Sequence, residues 1–280
     1  MKNPSVYSIM GMAAIYLAAA GSARAGTLKC PPDSVKVGNV CVDTYEESVW
    51  QIPPSNIKLV KLVQQGKATL ALLTAGGATE LSVASGAATC SPTFPANFPR
   101  GGQWTPVLGS TPPSPGVYAV SIPGVVPTAC IDWFQAAQAC RLAGKRLLTN
   151  LEWQDAAAGT PDPGATPGPN DCNTNSTAPV NTGSLANCKS SWGVFDMVGN
   201  VDDWVADWAD VNPTNCTDST TGLGLPGNDS ICFGGGADPR PAALLRGGDF
   251  YLSSLGGVFM VGARNYPTFT ATAIGFRCAR

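Results

Sequence analysis

Ten cysteines, at positions 30, 41, 90, 130, 140, 172, 188, 216, 232 and 278, run nearly the length of this 280-residue chain. An even number so widely spread, behind an export leader, reads as a disulfide framework. Each bridge removes freedom from the unfolded chain and so sustains a fold with little regular structure. The leader is legible in the first residues. Lys2 precedes an apolar run at 9–20 that is short for a bilayer span, and Ala23-Arg24-Ala25 offers small residues for cleavage. Cleavage after Ala25 is predicted, with no cysteine at that point to carry a lipid anchor. The mature chain, 26–280, is expected to be exported (periplasm, cell surface or secreted), without a membrane span. All ten cysteines survive cleavage. Short loops suit Cys30–Cys41, Cys172–Cys188 and Cys216–Cys232, and Cys90 is placed to reach Cys130. Spacing alone leaves the connectivity open.

The chain contains no histidine. That removes serine–histidine and cysteine–histidine nucleophiles and every histidine-based metal site. No Cys-x-x-Cys occurs, so zinc is not indicated either. With the cysteines paired, catalysis would rest on carboxylates, Tyr, Lys or a bound ion. Loss of Lys2 and Arg24 with the leader leaves 15 basic against 19 acidic residues, a net charge of −4. No Lys/Arg cluster stands out, so nucleic acid is not an expected partner.

Alternation in "VKVGNVCVDTYEESVW" predicts two short strands turning at Gly38-Asn39. Residues 55–126 carry helix-like spacing at first, then Gly- and Pro-rich breaks. They read as a low-complexity, mainly irregular insertion. In "CIDWFQAAQACRLAG", Trp133, Ala136, Ala137, Cys140 and Ala143 share one helical face, and Gly144 stops the helix. Thr149 with Glu152 three residues later is a capping box, which predicts a second helix over 150–157. Residues 158–193 read as loop. Few regular elements, many loops and several bridges make an α+β domain.

Two stretches are candidates for chemistry. "FDMVGNVDDW" holds Asp196, Gly199, Val201, Asp202 and Asp203 within eight residues. Carboxylates separated by a turn, with backbone carbonyls between them, can cage Ca²⁺, which takes about six to eight oxygens in irregular geometry. The same residues can equally cap turns and face water. The other stretch, 247–280, sets Phe250, Tyr251, Phe259, Tyr266 and Phe269 among Gly, Ser, Thr and Ala. Between Gly247 and Phe276 only Asp249 and Arg264 are charged. Such a segment suits a core, a catalytic wall or a contact surface. Phe259 and Phe276 are assigned to the core, and Phe250, Tyr251, Tyr266 and Phe269 to the surface.

"WFQAAQACRLAGKRLLTNLEWQDAA", "WGVFDMVGNVDDWVADW", "LLRGGDF" and "GFRCAR", in this order over 128–280, resemble the formylglycine-generating enzyme (sulfatase-modifying factor) family. The 30–50 segment is compatible with it. The resemblance implies a C-type-lectin-like α+β fold, a Cys140–Cys278 bridge, and a structural calcium site on Asp196, the carbonyls of Gly199 and Val201, and Asp203. The family usually has Asn and Glu where Asp196 and Asp203 stand. A second calcium loop would fall near Asn173, where this chain diverges.

The departures bear on activity. The family's two copper-binding cysteines correspond to Tyr251 or Leu252 and to Gly256 or Gly257, none of which supplies a thiolate, so no copper is expected. A further family disulfide is replaced by Ala157 and Val261, and iron-dependent relatives rely on histidines. The closing segment also resembles the variable regions of retroelement-diversified binding proteins. Its frame reads Arg246-Gly247-Gly248, Gly257-Val258-Phe259, Pro267 and Ile274-Gly275-Phe276-Arg277-Cys278, and the residues between suit codons altered at adenine. Tyr and Phe give stiff contact area, and Ser, Thr and Gly adapt around them.

The expected function is therefore a non-enzymatic binder of an extracellular protein or glycan. Its ligand residues would be Asp249, Phe250, Tyr251, Leu252, Ser253, Ser254, Asn265, Tyr266, Thr268, Phe269, Thr270 and Ala271. A formylglycine-generating oxidoreductase, or an enzyme of altered chemistry on the same fold, is the alternative, and an envelope-associated structural role is a third reading.

Overall fold

A computed structural model describes residues 28–101, 116–209, 229–232 and 241–280. The predicted leader and Cys216, and with Cys216 its predicted bridge to Cys232, lie outside the described residues. Strands β1 (Ser34–Val37) and β2 (Val40–Asp43) form the predicted hairpin, with Val37 opposite Val40. Gly38 takes a φ of +55° at the turn, which a side chain would resist.

The stretch 55–126, expected as a mainly irregular insertion, instead supplies part of the main core. Helices α1 (Ile57–Gln64) and α2 (Leu70–Ala75) are capped by the side chains of Asn56 and Thr69. Strands β4 (Thr79–Leu81) and β5 (Val117–Ser121) flank β3 (Glu47–Gln51) in an antiparallel three-stranded sheet. Leu59, Val63, Leu73 and Phe98 pack in one cluster with Trp50, Trp133, Trp204 and Phe276. Two helices of six to eight residues, broken by glycine, are too short to show a clear period.

Helix α3 (Trp133–Leu142) buries Trp133, Ala136 and Cys140, with Ala137 at its edge. Asp132 and Gln135 form a capping box at its start that the sequence reading passed over. After β6 (Arg146–Leu147), α4 (Asn150–Ala157) begins at the predicted Thr149–Glu152 box. A long loop stapled by Cys172–Cys188 leads to β7 (Asp202–Ala209). The remaining elements are β8 (Ile231–Cys232), β9 (Ala242–Gly247), a 3₁₀ turn (Ser253–Leu255), β10 (Gly257–Gly262), β11 (Ile274–Phe276) and β12 (Cys278–Ala279). They build a five-stranded sheet in the order β11-β7-β9-β10-β8, with β11 parallel to β7.

Strand β12 lies between β2 and β6 in a four-stranded sheet. Cys41 and Arg280 exchange both backbone hydrogen bonds, at 3.0 and 2.8 Å. The Cys140–Cys278 bridge fastens α3 to this strand, and Cys30–Cys41 and Cys90–Cys130 are the remaining bridges among the described residues. Among the described residues no cysteine is free. Beneath the sheet Lys145 is fully buried among Asp33, Asp43 and Glu47. Burial alone would lower its pKa, but the three carboxylates outweigh burial and hold it above the usual lysine range.

Phe276 is fully buried as expected. Phe259, also assigned to the core, is only half-buried, because β10 carries a bulge between Gly257 and Val261 that re-aims its side chains. Among the described residues no helix is long and apolar enough to cross a membrane.

Candidate ligand-binding site

The acidic turn ahead of β7 is built inward. Asp196, Gly199 and Asn200 all take positive φ, at +58°, +76° and +63°. A Cβ on Gly199 would stand 2.3 Å from the Asn173 carbonyl oxygen, so only glycine fits there. Asp196 Oδ2 accepts from the Gly183 N–H at 2.7 Å. Asp203 Oδ2 accepts from Trp153 Nε1 at 2.9 Å and faces Arg277 Nε at 3.5 Å. The second oxygen of each carboxylate is buried with no hydrogen-bond partner.

A third acid joins them from far upstream. Glu46, fully buried, accepts from Asn200 Nδ2 and from the Val201 N–H. Burial first, then Asp196 and Asp203, push its pKa well above the usual carboxylate range. Burial likewise lifts Asp196 to about 6 and raises Asp203. Against these three acids stands Arg277, which also donates to the carbonyls of Asp43 and Phe195 at 3.1 and 2.8 Å. The donor set is all oxygen, two buried carboxylate oxygens lack partners, and the acids outnumber the guanidinium. In charge and donor type this turn fits a hard cation.

The closing segment divides into buried frame and intervening residues. Arg246 is buried, its guanidinium 4.5 Å from the Trp153 ring centre and donating to Asn150 and Gln154. Gly247 and Gly248 hold φ of +86° and +82°, and a Cβ on Gly248 would meet the Gly256 Cα at 2.5 Å. Between these fixed points, 249–255 and 264–273 enclose a cleft of about 320 Å³.

Of the predicted ligand residues, Asp249, Tyr251, Leu252, Asn265, Phe269 and Ala271 line this cleft. Phe250, Ser253, Ser254, Tyr266, Thr268 and Thr270 are not part of its lining. Phe250, assigned to the surface, is 4% exposed: its backbone bonds to Asn200 and Ser176 draw it inward. Ser253 donates its N–H to the Thr174 carbonyl, and the Thr268 carbonyl accepts from Arg100. Tyr266 packs edge-on against Phe269, ring centres 5.8 Å apart. Tyr251 is 56% exposed, the most open aromatic of the segment.

The cleft's floor was missed by the sequence reading. Asp202, whose signal was only its place beside Asp203, lies there with Leu245, Met260 and Ile274. Asp249 accepts from the Tyr251 N–H at 2.9 Å, and burial lifts its pKa to about 6. Burial and the nearby Asp249 push Asp202 well above the usual range. Burial, then Asp249 and Asp202, raise the Tyr251 phenol to about 12, and the phenol donates to the Asp249 carboxylate.

The residues do not fit copper. The two family cysteine positions hold Tyr251 or Leu252 and Gly256 or Gly257. A Cβ on Gly257 would stand 2.2 Å from the Asp229 carboxylate, so a thiolate there would have to displace a buried acid.

Mixed short strands and helices, long loops, a closing strand inside the first sheet and, among the described residues, four bridges define an α+β protein of C-type-lectin-like fold. The chain belongs to the family of the sulfatase-modifying factor enzyme 1-like domain, whose model matches residues 55–280. It is similar to the formylglycine-generating enzyme of Thermomonospora curvata, 29% identical over 218 residues, which are 68% of this chain and 67% of that protein. Among solved structures it is similar to the major tropism determinant P3c variant, with 21% identity and a TM-score of 0.45 over 89% of this chain. The chain spans about half, 52%, of that protein's length. It is also similar to Treponema denticola variable protein 1, with 16% identity and a TM-score of 0.33 over 72% of this chain and 95% of that one.

Proposed function

We propose that this chain is an exported, non-enzymatic ligand-binding protein whose recognition surface is built from 249–255 and 264–273 and is diversified by a retroelement. The ligand is an extracellular protein or glycan. One observation carries the reading: the frame residues Arg246, Gly247, Gly248, Phe276, Arg277 and Cys278 are buried and locked, while the residues between them wall an open cleft. A frame that tolerates no change around positions that do is what a sampled surface requires. The test is to sequence the DNA flanking the gene. A near-copy of the codons for 247–280, differing almost only where the copy has adenine and adjoining a reverse-transcriptase frame, is the expected result. A flank without such a copy removes the claim of diversification.

The enzyme alternative has the family in its favour. It needs a thiol or another reactive group, and titration of free thiols in the native protein decides it. The binding reading predicts none, whereas about two thiols, quenched by copper(I), would restore the enzyme. Within the binding reading, Asp196, Asp203 and the carbonyls of Gly199 and Val201 would hold a structural Ca²⁺ that offsets the buried acid excess.

A further inference from the structure

The cleft has a chemical character that its exposed rim does not suggest. Asp202 is 7% exposed and Asp249 is 3% exposed, and both carboxylates line it. The Gly248 N–H serves the Asp202 carboxylate, and the Tyr251 N–H, the Tyr251 phenol and the Leu252 N–H serve Asp249. Asp202 Oδ1 is buried with no hydrogen-bond partner. A buried carboxylate oxygen left unpaired beside a second acid is costly unless something positive meets it. Arg264 lines the cleft from its exposed side.

The walls decide what kind of cation fits. Leu245, Met260, Phe269 and Ile274 line the cleft together with the two acids and present carbon, not oxygen. A hard metal ion takes about six to eight oxygen donors, and these walls do not supply them. A charged head on an apolar stem matches better: the stem packs on the walls, the head meets the acids, and an aromatic ring adds attraction for the cation.

We infer that the cleft binds the ammonium or guanidinium end of a lysine- or arginine-like group on the ligand, with Asp202 and Asp249 as its counter-charge. The inference rests on the binding reading above and sharpens it. Asp202 belongs to strand β7, outside both intervening segments, whereas Asp249 belongs to the first of them. One acid is therefore a fixed feature of the scaffold, and the other sets the strength of the preference in this variant.

The test uses the mature chain at pH 7.5 and four probes followed by amide NMR shifts. Nα-acetyl-lysine methylamide and its arginine counterpart carry the charge, the norleucine counterpart is neutral, and 1,5-diaminopentane is a free amine. The charged amino-acid probes are expected to shift Gly248, Asp249 and Tyr251 and to bind at least tenfold more tightly than norleucine. Asp202→Asn and Asp249→Asn should each lose most of that preference while keeping the native spectrum. Equal binding of free diamine would point to a small amine as source, and weaker binding to a side chain on a polymer. Either supports the shared chemistry. Norleucine binding as well as lysine, no detectable binding of any probe, or an unchanged preference in both variants overturns it. If norleucine and lysine bind equally and Tyr251→Ala loses both, the recognition surface stands and only its charge preference falls.

Discussion

Asp202 and Asp203 are neighbours on one strand, yet they serve two different places. Side chains alternate faces along β7, so Asp203 turns toward Trp153 and Arg277, and Asp202 turns into the cleft. On the first face each acid is drawn into a network: Asp203 by an indole and a guanidinium, Glu46 by Asn200 and Val201, Asp196 by Gly183. On the second face Asp202 has the Gly248 N–H, and Asp249 has the Tyr251 and Leu252 N–H groups and the Tyr251 phenol, all from one short turn. The same side chain is architecture on the face it shares with Trp153 and Arg277 and borders an open cleft on the other.

The sharpest way to break the contrast is to remove the countercharge. Arg277→Ala should cost about 3–5 kcal/mol in urea unfolding, because it strands three buried acids. Asp202→Asn should cost almost nothing, since the amide keeps an oxygen for the Gly248 N–H and breaks no ion pair. A small loss for Arg277→Ala would mean the two faces do not differ as described. Calcium separates them next. At a hundredfold excess over its Kd, the ion should stabilise the chain by about 2.7 kcal/mol, read as a rise in Tm. Asp196→Ala, which removes the ligand oxygen, should abolish that rise, and Asp202→Asn should keep it.

Gly248→Ala sharpens the boundary between frame and cleft. Its Cβ would meet Gly256 in a left-handed backbone, so a loss of about 1–3 kcal/mol is expected, against about 0.5 or less for Ser254→Ala. The smallest effect is on pH dependence. The Asp249 pKa stands at about 6 when folded, above its ordinary 3.8. The folded chain therefore keeps a proton that the unfolded chain has released. Its contribution to stability falls as pH rises from about 4 to about 6 and is level above that. Urea midpoints across this range should slope less steeply in Asp249→Asn, with the other raised carboxylates, Asp196 and Asp229 among them, supplying the remaining slope. An unaltered slope would remove Asp249 from the account.

Local signals carried much of this into the sequence. The hairpin at Gly38, the Thr149–Glu152 cap and the disulfide of Cys172 with Cys188 depend on residues no more than 16 positions apart, and each forms as read. Glu46 and Asn200 meet across 154 positions, and Asp202 meets Asp249 only through the five-stranded sheet. No window of sequence holds such pairs. Phe250 shows the same limit at short range: beside the exposed Tyr251 it looked like surface, but the Asn200 carbonyl accepts its N–H and the ring turns inward.

Strands β11 and β12 come after both cleft-forming segments, and β12 is an interior strand of the first sheet. A stop codon or a frameshift anywhere in 249–273 would thus delete the partner of β2 and β6, the buried Arg277 and the sulfur that bridges Cys140. Folding acts as a reading-frame check. Whatever residues stand in 249–273, the fold closes only when translation has passed through them in frame, so a chain broken there cannot complete its first sheet.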